Sequence, residues 1–434
     1  MIHPRTCAAR ILALCLLLLG VQFIGRAVPA AHAGATTRPK VIFDEDEMGP
    51  GGTNIQASLM LLQDRSIDLL GITVPTGDGW RNEEVAHILR ALQIAHRTSV
   101  PVYPGAVFPL LDSRRRNRAW EHQYGKLFYD GAYMRHWPAE GTRDPTPLHP
   151  NRPYWVPPLP EGAPSIPAQR ENAAQFLIRM VHRYPHQVTI IAAGPLTDLA
   201  LAAKLDPHFA SLARQLIFMG GSFNPQPADT PFAHASAYVN SPRVEFNMRF
   251  DPEAASIVLH QPWRRITEVP LDATSPTFMS HAMLEAVGRG HAPFDRYLAR
   301  FGQPYPLWDE TAVAVWLDPA LITREKTLLV DVDTSPTANY GATLSWPLGD
   351  GPDLGEQPVH VVFRVDVGKL DRLVLHLLTA AHPIALTPPR VRHAETHTAL
   401  RHSPAGVTGS APPSVPRPAL ATTPRTAPGR ATRS

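Results

Sequence analysis

Cysteine is nearly missing from this chain. Its 434 residues include two, Cys7 and Cys15, both within the first 33 positions. A mature protein without those positions has no disulfide, no zinc–thiolate centre and no cysteine nucleophile. Charge is sparse, at 18% of residues, and long apolar runs are sparser still. Only Ile11 to Phe23 approaches the hydrophobicity of a membrane span, which excludes a multi-pass membrane protein. No glycine-rich phosphate loop of the P-loop type is present. Apolar residues, by contrast, make up 44% of the chain. That is too much for a disordered protein and enough, at this length, for a sizeable core.

The ends differ from the middle. In residues 1–33, Arg5 and Arg10 precede the apolar run, and Ala31-His32-Ala33 forms a small-x-small cleavage site, the pattern of a secretory signal peptide. A single membrane anchor is the alternative; the short run followed by Arg26 favours cleavage, hence a secreted or periplasmic protein with no stable membrane insertion. Residues 388–434 are rich in Pro, Thr and Arg, without periodicity, and are expected to be disordered. The formal net charge of +3 hides an uneven distribution. The leader carries three arginines and no acid, and the tail seven arginines against Glu395, which leaves −6 on residues 34–387. A mildly acidic body argues against a nucleic-acid partner.

Within residues 34–387, short β-rich runs alternate with helical patterns. Strands are expected at Lys40–Phe43, Ile67–Val74, Val100–Tyr103, Gln187–Ala192, Gln215–Met219 and Arg265–Pro270. Helices are expected at Ile55–Leu62, Glu83–Ala95, Leu196–Leu205, Pro252–Leu259 and Glu310–Leu317. Nearly continuous apolar strands alternating with helices predict an α/β fold, an open, mostly parallel sheet covered on both faces. Leu328–Val332, His360–Val365 and the helical Leu370–Leu378 close the domain. Residues 108–170 interrupt it with Trp120, His122, Tyr124, Tyr129, Tyr133, His136 and Trp137, an aromatic insertion suited to a lid, a specificity loop or a subunit contact.

The strand ends are the informative part. They read Asp44-Glu45-Asp46-Glu47, Thr76-Gly77-Asp78-Gly79, Ala193-Gly194-Pro195, Gly220-Gly221-Ser222 and Leu271-Asp272-Ala273-Thr274. In open parallel sheets ligands bind at the carboxyl ends of strands, so these five ends predict one small-molecule crevice. Alternation along an extended segment places Asp44 and Asp46 on one side and Glu45 and Glu47 on the other, with one pair facing the crevice and the other solvated or capped. A hard cation such as Ca²⁺ takes carboxylate, amide and carbonyl oxygens, which makes Asp46, Asn54 and Asp309 candidate ligands. A charged turn and a helix N-cap are the plainer readings of the same acids.

Taken in order, these segments resemble the inosine-uridine-preferring nucleoside hydrolase family. That family opens with a strand into Asp-x-Asp-x-Gly-x-Asp-Asp, and the counterpart is Asp44-Glu45-Asp46-Glu47-Met48-Gly49 continuing to Thr53-Asn54. Leu70-Gly71-Ile72-Thr73-Val74, Val100-Pro101-Val102-Tyr103-Pro104-Gly105, Ala193-Gly194-Pro195-Leu196-Thr197-Asp198, Met219-Gly220-Gly221, Glu245-Phe246-Asn247, Val269-Pro270-Leu271-Asp272 and Trp308-Asp309 follow in sequence. The resemblance spans roughly residues 40–380. It implies a Rossmann-like sheet with the active site at the strand carboxyl ends. It also implies hydrolysis of the N-glycosidic bond of ribonucleosides or a related N-riboside, with Ca²⁺ holding the nucleophilic water. Carried over by motif, Asp46 is the general base and a metal ligand, and Asn54, the carbonyl of Ala193 and Asp309 are further ligands. Asp78, Asn240, Glu245, Asn247 and Trp308 are the substrate-binding residues.

Three positions depart from the family pattern. Thr53-Asn54 stands for paired aspartates, after a longer loop, and lowers the negative charge of the site. Asp78 stands near where an asparagine is usual. Trp308 stands for a histidine able to protonate the leaving base; a tryptophan stacks but supplies no acidic proton. The alternative functional reading is an exported ribose- or nucleoside-binding protein with a degraded metal site, and a structural role built on the insertion is a third. Homo-oligomerisation is an expectation from the family resemblance alone.

Overall fold

The computed structural model describes residues 38–135, 147–224 and 244–382. The leader, the tail, Asn240, His136 and Trp137 lie outside the described residues.

The amino-terminal half alternates strand and helix. In order come β1 (Lys40–Asp44), α1 (Thr53–Gln63), β2 (Asp68–Val74), α2 (Arg81–Ile94) and β3 (Val102–Pro104), followed by α3 (Arg114–Tyr124) and α4 (Ala173–Arg183). Next come β4 (Val188–Ala192), α5 (Thr197–Leu205), α6 (Phe209–Leu212), β5 (Gln215–Met219), α7 (Phe246–Phe250), α8 (Pro252–Leu259) and β6 (Ile266–Val269). The carboxyl-terminal part contributes α9 (Leu271–Thr274), α10 (His281–Gly288), α11 (Asp295–Phe301), α12 (Trp308–Leu317), β7 (Ile322–Val332), β8 (Thr343–Trp346), β9 (Pro358–Val365) and α13 (Val367–Thr379).

The strands form one sheet in the order β3-β2-β1-β4-β5-β6-β9-β7-β8. All neighbours from β3 to β9 are parallel, and β7 runs antiparallel to both β9 and β8. Strand order reverses around β1, which pairs with β2 on one side and β4 on the other. That is the topological switch point where doubly wound sheets open a crevice.

Alternation along the strands explains the two helical layers. Val41 and Phe43 of β1 and Ile191 of β4 enter one core with α1, α2, α12 and α13. Ile42 and Ile190 enter the other, with α4, α5 and α8. Successive side chains point to opposite faces, so a strand buried on both must be apolar throughout. The expected strands all form; Gln215–Met219 matches its expected bounds, most others shift by one or two residues, and β7 begins six residues before the expected Leu328.

The insertion is more structured than its sequence suggests. Ser113 accepts the Arg116 N–H and caps α3, whose eleven residues bury only Asn117. A helix with no apolar stripe leaves no periodic signal. Beyond it, Ala132 and Tyr133 pack with Trp80 and Phe250 in a separate small core, which places the Tyr129–Tyr133 segment over the strand ends.

Candidate functional site

Five strand ends meet at one cleft of about 620 Å³, its mouth included. Asp46 follows β1, Asp78 follows β2, Ala193 follows β4, Met219 ends β5 and Leu271 follows β6. Thr53, Asn54, Tyr129, Glu245, Phe246, Asn247, Tyr305, Trp308 and Asp309 complete the lining. Every site residue expected from sequence and described in the structure is therefore here; Asn240 is outside the described residues.

The acidic run does not divide as strand alternation predicts. Asp44, Glu45, Asp46 and Glu47 are all buried, none solvated. β1 ends at Asp44, so the two-residue period stops there, and the next two side chains turn toward the same partner. The Asn54 amide nitrogen lies 3.0 Å from Glu45 Oε1, 3.4 Å from Asp46 Oδ1 and 3.3 Å from Asp78 Oδ2. Asp44 and Glu47 are instead taken up by hydroxyls, Asp44 by Thr73 at 2.5 Å and Glu47 by Ser58.

The ends of β2 and β4 close tightly on one side of Asp46. The Asp78 N–H donates to its Oδ2 at 2.7 Å. A Cβ at Gly77 would stand 2.0 Å from that same oxygen, and one at Gly194 would stand 2.8 Å from the Asp46 nitrogen. Those two glycines allow the β2 and β4 ends to close around the carboxylate. They were legible in the sequence as strand-end glycines, but their target was not.

Burial dominates the protonation of the whole cluster. It pushes Asp46 well up, with Asp78 adding to the shift, and pushes Asp309 well up, with Glu310, Asp46 and Asp78 adding. Glu45 is raised by burial and then by Asp309 and Asp46. Burial lifts Asp78 to about 7, against the opposing hydrogen bonds from Tyr129 and Asn54. The lining contains no lysine, arginine or histidine among the described residues. Carboxylates in low dielectric with no basic partner favour protonation or a cation. The carboxylates of Asp46 and Asp309 and the Ala193 carbonyl offer oxygen donors that fit a hard divalent cation, while Asn54 turns its amide nitrogen to the carboxylates.

Thr53, at one of the two altered positions, is held by Glu310 and Asp309. The Thr53 hydroxyl donates to Glu310 Oε2 at 2.5 Å and accepts from the Asp309 N–H at 3.3 Å. It joins the starts of α1 and α12. Glu310 retains a carboxyl beside Asp309, pushed up to about 8 by burial. In the sequence Glu310 is indistinguishable from an ordinary first-turn acid of a helix.

The opposite wall is held by backbone. Glu245 caps α7, its Oε1 accepting from Asn247 N at 2.8 Å and its Oε2 from Met248 N and Gly221 N at 3.0 and 3.1 Å. The Asn247 amide donates to Ala193 O at 2.5 Å and Met219 O at 3.2 Å, tying the ends of β4 and β5. Asp272 accepts from Phe223 N and Asn224 N, a turn-holding arrangement. Aromatic rings from three segments also line the cleft. Trp308 stacks on Tyr305 with centroids 5.9 Å apart and planes at 25°, and Tyr129 meets Phe246 edge-on at 4.8 Å. Tyr129 comes from the insertion and donates to Asp78 Oδ1 at 2.9 Å. The aromatic richness of that segment signalled a lid or specificity loop; which ring enters the cleft was not readable.

The chain matches the family of inosine-uridine preferring nucleoside hydrolases over residues 41–372. It belongs to that family. Uridine nucleosidase 1 of Arabidopsis thaliana is 29% identical over 347 residues, covering 76% of this chain and 89% of the relative. The inosine-uridine preferring nucleoside hydrolase of Crithidia fasciculata is 26% identical over 357 residues, covering 78% and 97%. Among solved structures, a plant nucleoside hydrolase superposes with a TM-score of 0.59 at 26% identity, covering 79% of this chain and 99% of its own. Family membership makes this chain an N-glycosyl hydrolase, and the family is metal-dependent.

Proposed function

We propose that the cleft hydrolyses the N-glycosidic bond of ribonucleosides, with Asp46 as general base. The observation that carries this reading is the convergence of Asp46, Asp78 and Asp309 on one oxygen-rich, base-free floor beneath a wall of aromatic rings. Asp46, the Ala193 carbonyl and Asp309 would hold Ca²⁺ there, joined by the Asn54 oxygen once the amide turns over from the orientation in which its nitrogen faces Asp46 and Asp78. When bound, that ion acidifies and orients the attacking water.

The chain's own groups divide the remaining work. Asp46 accepts the proton released as the water oxygen bonds to C1′ and the C1′–N bond breaks toward the base. Its Oδ2 is fixed by the Asp78 N–H, so the carboxylate enters the reaction already oriented. Glu245 Oε1 receives a single donor and keeps a lone pair for a ribose hydroxyl, and Asn247 stands beside it. Trp308, Tyr305 and Phe246 offer faces and edges to the base. A positive, flattened oxocarbenium-like ribose is favoured by the surrounding carboxylates. The leaving base receives its proton from solvent or a cleft tyrosine, since no histidine lines the cleft among the described residues.

The sequence supports export: residues 1–33 are proposed as a cleaved leader, with action in the periplasm or outside the cell. Amino-terminal sequencing of the exported protein should begin at residue 34.

The deciding experiment measures reducing-sugar release by residues 34–387 from a panel of purine and pyrimidine nucleosides, with Ca²⁺ or with chelator, beside Asp46→Ala. Calcium-dependent release lost in the variant is expected, and the panel names the preferred base. Folded protein that binds nucleosides but releases no sugar from any of them would overturn the hydrolase reading in favour of a binding protein.

A further inference from the structure

A second ligand cluster lies at the other end of the sheet. His260 caps the carboxyl end of α8, Asp331 is near the end of β7, and Glu356 lies two residues before β9. Leu329 of β7 pairs with Pro358, the first residue of β9, which runs parallel to β6. The three therefore gather at the amino ends of the parallel strands, away from the cleft at their carboxyl ends.

The geometry within this cluster is specific. His260 Nδ1 lies 2.7 Å from the Ser256 carbonyl oxygen. Only an N–H can face that oxygen, so Nδ1 carries the hydrogen and Nε2 the lone pair of the neutral ring. Nε2 faces Asp331 Oδ2 at 3.9 Å and Glu356 Oε1 at 3.8 Å. Both distances are too long for hydrogen bonds, where an imidazolium would draw a carboxylate to about 2.7–2.9 Å. They leave a gap for one shared cation, around which the ligands would close to about 3.3–3.6 Å apart for tetrahedral bonds of about 2.0–2.2 Å.

A further observation points to an occupant. Glu356 has a side chain only 2% exposed, and its Oε1 has no hydrogen-bond partner. The other oxygen, Oε2, accepts from Leu354 N at 3.0 Å and fixes the carboxylate with Oε1 directed at the ring. Asp331 Oδ1 is likewise buried without a hydrogen-bond partner. The three ligand atoms lie within 4.8 Å of one another. A histidine whose second nitrogen donates to a backbone carbonyl is the usual setting of a metal-bound imidazole.

We propose that His260, Asp331 and Glu356 bind a borderline divalent transition-metal ion, of which Zn²⁺ is the representative, with water in the remaining position. One nitrogen and two carboxylates select such an ion over Ca²⁺, which takes oxygen alone and more of it. The role is structural. The ion joins the α8 end and β7 to the loop entering β9, in a domain that has no cysteine in residues 34–387 with which to staple it. The cation of the cleft is not involved.

The test titrates Zn²⁺ by calorimetry into full-length protein held in saturating Ca²⁺. Wild type is expected to show a site that is weakened at least about 10-fold in His260→Ala and in Glu356→Gln. Zn²⁺ should slow hydrogen exchange in residues 347–357 of wild type and not of either variant, while nucleosidase activity with Ca²⁺ stays the same in all three. Glu356→Gln preserves shape and keeps the test intact if His260→Ala fails to fold. Equal Zn²⁺ binding by wild type and Glu356→Gln, or none by wild type beyond the Ca²⁺-filled protein, would overturn the proposal. Both readouts survive if the hydrolase reading itself fails.

Discussion

Two buried charge clusters a short distance apart are built on opposite principles. Where the insertion meets α7, Arg249 pairs with Asp112 at 3.1 Å, donates to Asn117 Oδ1 at 2.8 Å, and lies over the rings of Trp120 and Tyr340. Its charge is answered by the protein. In the cleft, Asp46, Asp78 and Asp309 face one another with no base among the lining residues. A buried ion answered internally holds the fold together, while buried acids left unanswered weaken it and reserve their field for a ligand. The contrast separates a structural charge from a functional one without reference to any relative.

The strongest break in that contrast is Asp46→Asn. Nucleoside hydrolysis should fall about 10⁴-fold, the upper range for removing a general base, while the Ca²⁺-free protein melts higher because one uncompensated carboxylate is gone. Steady-state kinetics beside thermal melts would show both, and a variant that loses activity and stability together would contradict the assignment. Next in size is Arg249→Met. It leaves Asp112 buried without its partner and should cost about 3–5 kcal/mol in urea unfolding. A loss under 1 kcal/mol would mean that the pair is no more than a surface contact.

Adding Ca²⁺ should erase part of the difference between the two clusters. At a concentration 100 times its dissociation constant it stabilises the fold by about 2.7 kcal/mol, read as a melting shift that chelator reverses and that Arg249→Met retains. The smallest effect concerns pH. Asp130, near Asp112 and bonded to Asn117, is lifted to about 7, chiefly by burial and then by Asp112. Its folded-state value exceeds its unfolded value, so its neutral form suits the fold. Stability present below about pH 4 is lost as pH rises toward 7. Asp130→Asn should therefore stabilise by about 1 kcal/mol at pH 8 and change little at pH 4. Melting curves at the two pH values check this, and equal shifts at both would refute it.

Much of this protein is determined by its sequence alone. Lys40–Asp44, Val188–Ala192 and Gln215–Met219 are short, apolar and followed by polar or glycine turns, and local chain physics makes such segments strands with ligand-facing ends. Asp46 and Asp309 were identifiable for the same reason, each lying next to an element whose period is readable, whereas Asp78 was legible as a strand end and its substrate role only through the family resemblance. Tertiary structure decided the rest. That Glu45 joins Asp46 at Asn54, that Glu310 stands beside Thr53, and that Tyr129 reaches Asp78 from the insertion each depend on segments far apart in the chain. His260, Asp331 and Glu356 belong to the same class, separated by 71 and 25 residues before the sheet brings them together. Periodicity reports what a residue does within its own element. It carries no information on which side chain another element delivers, because that is set by strand order, register and packing, and those exist only once the chain has folded.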